Sequence, residues 1–236
     1  MFLYNFCGVY MTDLKRENAS QLRLQLLIAV VPIYITIIYN YEKAFFTFDN
    51  LLSKAAIAQF ATLGLGPLVC LGVVLVLLSN VVSPDWKARL VFCRWNDPLP
   101  ASRADQLMMK DTRLDLEILD PATQHLLSED MTPKQRNSYW YKHIFVDVRD
   151  IAAVKNAHRQ YLLNRDAATG VALLTLITFL CDMTVRVFQE VHILSVYTYI
   201  ILIVYTLLLM FTSATGGKRM VTNAIANYPL KKDGNS

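Results

Sequence analysis

The densest group of side chains able to do chemistry is the run Lys134-Gln135-Arg136-Asn137-Ser138-Tyr139-Trp140-Tyr141-Lys142-His143. Aromatic rings stack on bases while Lys and Arg hold phosphates, so Arg136, Tyr139, Trp140 and Lys142 are the candidate ligand-binding residues. The same composition suits an interfacial segment, with rings at the headgroups and cations on anionic lipid, or a subunit contact. A second constellation is Asp182 and Arg186, an i, i+4 pair of opposite charge in an apolar stretch. Such a pair closes a local ion pair on one helix face, and charged groups at membrane depth also line water-filled paths. A third is Gly64-Leu65-Gly66-Pro67, which predicts a kink and makes Gly64, Gly66 and Pro67 candidate gate residues. Around it Ala58, Thr62, Gly66 and Cys70 recur at four-residue steps, a small-residue stripe that lets two helices approach closely.

Motifs for turnover are missing. The chain has no phosphate-cradling glycine loop, no HExxH, no CxxC and no Gly-x-Ser-x-Gly. His125, His143, His158 and His192 lack metal-ligand spacing, and His158 falls near an apolar helix face, where packing is expected. The carboxylate pairs Asp111 with Asp115 and Glu129 with Asp130 read as solvated faces or caps. The expectation is a non-enzyme with no catalytic residues, no metal and no cofactor. The cysteines, Cys7, Cys70, Cys93 and Cys181, read as free thiols in a mostly internal chain.

Four long apolar blocks must position these groups. The 236 residues are 54% hydrophobic and only 18% charged, with a mean hydropathy of +0.33. Soluble domains carry about 25% charge. The blocks cover 22–41, 55–82, 167–188 and 191–214, each near the roughly 20 residues that cross a bilayer. Backbone groups in lipid must be satisfied within the segment, so each reads as a helix. The third and fourth are separated only by Gln189 and Glu190 and form a tight hairpin. All but three of the 23 Lys and Arg, namely Lys43, Lys54 and Arg186, fall on one side of this topology. By the positive-inside rule, residues 1–21, 83–166 and 215–236 are cytoplasmic. No cleavable signal is expected, because Met1–Tyr10 has no basic start.

The predicted fold class is therefore all-α integral membrane, with four transmembrane helices and a mainly helical cytoplasmic domain between helices 2 and 3. Within that domain, Trp95-Asn96-Asp97-Pro98-Leu99-Pro100 predicts a rigid turn. Short helices are expected around 104–110 and 122–127. Thr132-Pro133 starts a further helix. Ile144, Val148, Ile151, Val154 and Tyr161 give it an apolar face, and no proline interrupts it before Tyr228. It is expected to run as a stalk straight into the third crossing. The domain's charge is close to balanced, which argues against extended duplex DNA.

Two crossings, a cytoplasmic domain and two more crossings resemble the small four-helix membrane effectors of bacterial antiphage systems, including the membrane partners of nucleotide-signalling modules. The resemblance is one of layout over the whole chain. It implies a homo-oligomeric inner-membrane protein whose cytoplasmic part receives a signal and whose helices alter permeability. Its partners would be the lipid bilayer and a nucleotide or short single-stranded nucleic acid, or else a cytoplasmic protein. A non-conducting adaptor that recruits a cytoplasmic partner is the alternative. A small transporter is disfavoured, since paired broken helices in corresponding halves are lacking.

Overall fold

In the computed structural model, residues 18–33, 35–36, 81–115, 119–189 and 194–233 are described. Among them the regular structure is entirely helical. The chain divides into two compact units. One contains residues 83–165 and 210–236, the other 16–82 and 166–209.

The first unit begins with α1, Pro84–Phe92, whose entry is set by Pro84 at its first position and by the Ser83 side chain, which accepts from the Trp86 N–H. It stops at Cys93, which adopts a left-handed conformation with φ 50°. The proline-bounded turn follows, and Ser102 Oγ donates to Leu99 O at 2.6 Å to brace it. A 3-10 turn over Pro100–Arg103 leads into α2, Ala104–Lys110. Next comes α3, Pro121–Gln124, capped by Asp120. α4 opens at Pro133 on a complete capping box between Thr132 and Gln135, the reciprocal arrangement that satisfies two orphan donors.

α4 does not continue as a stalk. It passes through a π turn at Tyr141–Phe145, resumes for Val146–Val148, and ends. The Ile151 N–H donates to Val148 O at 3.0 Å, and Ile151 O in turn accepts from Val154 and Lys155 to start a new helix. The expected unbroken helix is therefore two helices, for a packing reason. Ile144, Phe145 and Val148 share one core with Val154, Ala157, Tyr161 and Leu162. On a straight rod those two sets would follow one another. The break folds them together, so that the rings of Phe145 and His158 meet edge to face at 5.2 Å. The π turn, which holds one residue more than an α turn, carries the neighbours Ile144 and Phe145 both into the interior.

The two remaining helices are long. α5 spans Ala152–Gln189 and α6 spans Val196–Asp233. The stretch after residue 214 is thus no loose tail. Met220, Val221, Ala224 and Ile225 on α6 complete the first unit's core. The approach is close: Ser213 Oγ donates to Tyr161 O at 3.1 Å, and a Cβ on Gly216 would stand 3.1 Å from Tyr161 N.

The second unit packs helix 18–33 against the parts of α5 and α6 that belong to it. Leu26, Ala29, Val30 and Ile33 form its buried stripe, at helical spacing. Gly170 leaves room for Leu26, since a Cβ there would lie 2.6 Å from Leu26 Cδ2. Thr36 and Thr198 share a hydroxyl–hydroxyl bond of 2.6 Å. Large apolar side chains such as Leu176, Phe179, Leu180, Ile200, Val204 and Leu207 face outward. Two helices, Ala152–Phe188 and Val196–Tyr228, are long and apolar enough to cross a membrane, with only 17% and 28% of their most apolar windows buried. Patches of that kind mark contact with lipid or protein.

Candidate functional site

The four residues of the basic-aromatic run part company. Trp140 is buried and packs on Phe145, ring centroids 5.1 Å apart. Arg136 is buried too. Its Nε donates to Leu126 O at 2.9 Å, its Nη2 to Ser128 O at 3.2 Å, and its Nη1 lies 3.3 Å from Asp105 Oδ2. One guanidinium thereby ties α4 to α2 and to the turn after α3. Each of its three nitrogens is thus engaged by a partner within the fold. Tyr139 is half-buried between two histidines, 4.8 Å from the ring of His125 and 4.5 Å from that of His143. Lys142 is exposed. The structure brings the four together in sequence but splits them between core and surface.

Asp182 and Arg186 also take separate roles. Asp182 is buried, and its Oδ1 accepts from the Leu194 N–H at 3.2 Å across the hairpin. Arg186 is exposed one turn on. Gly64, Gly66 and Pro67, with the small stripe around them, lie outside the described residues.

A cleft of about 410 Å³ opens in the first unit between α2 and α6. Arg103, Gln106, Leu107 and Lys110, then Asp111 and Thr112, line it from the side of α2, and Lys218 and Thr222 from α6. Asp111 is already committed. Arg113 grips it with Nε at 2.9 Å and Nη2 at 2.7 Å, and also reaches Thr222 and Asn223. The Arg113 hydrogen bonds hold the Asp111 carboxyl below its ordinary value. Among the described residues, no carboxylate lies within 4 Å of Arg103, Lys110 or Lys218. Arg103 rests 5.6 Å over the Phe92 ring, with its Nε buried and lacking a hydrogen-bond partner. Burial, and then the nearby charge of Arg94, push its guanidinium downward from the usual value.

No family model, curated protein or solved structure matches this chain. Among the described residues no group of three His, Cys, Asp or Glu is placed to hold a metal. The cleft is a concentration of positive side chains that sequence reasoning missed. Lys110 and Lys218 are 108 positions apart, and no local spacing links them. The α6 pattern Met220, Val221, Ala224, Ile225 could have revealed that the helix returns to the domain.

Proposed function

We propose that the chain is an oligomeric membrane effector, channel-like or membrane-permeabilising, gated by a signal at its cytoplasmic domain. In this reading four helices cross the bacterial inner membrane, both termini are cytoplasmic, and the layout resemblance adds a role in antiphage defence. One observation carries it. Each of the two long apolar helices contributes to the core of the helical domain: α5 begins there with Val154, Ala157 and Tyr161, and α6 ends there with Met220, Val221 and Ile225. A ligand that repacks that core acts on residues belonging to the same helices that cross the bilayer. Gating then requires only that the ligand favour one of two states, since equal affinity shifts nothing.

The test is ion flux through liposomes holding the purified chain, paired with membrane potential in cells carrying its neighbouring genes under phage challenge. Flux and depolarisation that follow the signal support the channel. A wild-type protein that inserts yet never depolarises the membrane, even with its partners present, leaves the non-conducting adaptor.

A further inference from the structure

The geometry points to the cleft between α2 and α6 as a binding site for a phosphate-bearing anion, held by Arg103, Lys110 and Lys218. Three cations line one concavity, and the one carboxylate among its described lining residues, Asp111, is satisfied by Arg113 at 2.7 and 2.9 Å. Like charges with no carboxylate within 4 Å among the described residues repel one another, and an anion in the cleft relieves that repulsion. Phosphate suits the fittings. Arg103 has a buried Nε with donor capacity unspent, Lys110 and Lys218 supply mobile point charges, and the Thr112 hydroxyl and Gln106 amide add neutral donors. Arg with Lys is the usual division of labour around phosphate oxygens. The volume of about 410 Å³ lies within the range of small-molecule sites, roughly 300–1,000 Å³. A phosphate with a sugar-sized group attached would fill it.

Such a phosphate has two sources, a soluble phosphate ester or a phospholipid headgroup. Lys218 stands on α6 four residues beyond the apolar block that ends at Ala214, which keeps the headgroup within consideration. The inference rests on the proposed effector reading only for its regulatory meaning. Binding itself is measured without flux.

The full chain, solubilised in an uncharged detergent, is titrated with inorganic pyrophosphate at constant ionic strength, and separately placed in nanodiscs of phosphatidylcholine with or without phosphatidylglycerol. The reporter is the thermal midpoint, with ³¹P line-broadening as a direct check. The variants are Lys110→Gln with Lys218→Gln, both exposed and remote from the core, and Arg103→Gln. A soluble ligand predicts that pyrophosphate raises the wild-type midpoint and that each variant weakens binding by about tenfold or more, the equivalent of one lost charge-assisted hydrogen bond. A headgroup predicts no pyrophosphate effect but stabilisation by phosphatidylglycerol that the same variants abolish. If neither ligand stabilises the wild type, or the double variant responds equally, the assignment is overturned. Binding lost in a variant whose liposome flux is unchanged would instead count against the effector reading alone.

Discussion

Replacing Arg136 by Ala tests whether the basic-aromatic run serves the fold or a ligand. The side chain is 7% exposed and joins three segments through two backbone carbonyls and Asp105. Its loss leaves Leu126 O, Ser128 O and a carboxylate without their donor. Breaking a buried pair by removing one partner costs about 3–5 kcal/mol. Asp105 keeps some contact with water, its side chain being 22% exposed, so the lower end, about 3 kcal/mol, applies. At about 2–4 °C per kcal/mol for a protein of this size, the midpoint falls by about 6–12 °C. Fluorescence of the solubilised protein reports it directly, because Trp140 is buried beside the lesion while Trp86 and Trp95 are exposed. Lys142→Ala, at an exposed site in the same run, stays within about 0.5 kcal/mol of wild type. Arg136→Lys falls between, as a point charge cannot span all three partners. An Arg136→Ala protein melting within about 4 °C of Lys142→Ala would refute the reasoning, and would return Arg136 to the ligand-binding candidates.

Further outcomes follow from the same geometry. Gly216→Ala destabilises by about 1–3 kcal/mol, since its Cβ meets Tyr161 backbone at 3.1 and 3.3 Å, whereas Gly170→Ala is milder because Leu26 Cδ2 at 2.6 Å is a side-chain tip that can turn; paired denaturation curves rank them, and a reversed order would be wrong for this packing. Burial, assisted by Arg165, holds His158 down to about 4 from 6.5. The neutral ring is what the fold accommodates, so stability is complete above about pH 6.5 and falls by about 3 kcal/mol as pH drops towards 4. His158→Phe should flatten that dependence, read from midpoints at neutral and acid pH. An impermeant maleimide should label Lys43→Cys on intact cells but neither the exposed Cys93 nor Lys134→Cys until the membrane is opened. Labelling at Lys134→Cys from outside would invert the topology.

What the sequence reveals and what it conceals divide along the range of the forces involved. The turn at Trp95–Pro100, the helix at 104–110 and the capping box at Thr132 are written in neighbouring residues, and the structure has each of them. The break at Arg149-Asp150-Ile151 has no such sign. None of the three is a helix breaker, and the break lets Ile144, Phe145 and Val148 share one core with Val154, Ala157 and Tyr161. The pair Gly216-Gly217 lies inside α6, where it lets the helix pass close to the Tyr161 backbone and continue to Asp233. Arg136 inside the core runs against the habit of cations to stay in water, and its partners become visible only in three dimensions. The cleft is concealed most fully, because its cations come from distant parts of the chain.

The route of α6 also sets a timetable for biogenesis. Chains emerge from the ribosome at about 5–20 residues per second and domains tend to close as they emerge. Here the domain's core needs Met220, Val221, Ala224 and Ile225 beside residues such as Met108, Phe145 and Tyr161. Everything between Leu162 and Met220 must be synthesised first, and that interval contains the apolar stretches of both long helices. In the proposed membrane reading, the nascent domain waits, with its last wall missing, while the two apolar stretches enter the bilayer. On that reading, a hairpin inserted the wrong way round would carry Met220, Val221, Ala224 and Ile225 to the opposite side and leave the core open, so that correct insertion would be a condition of folding.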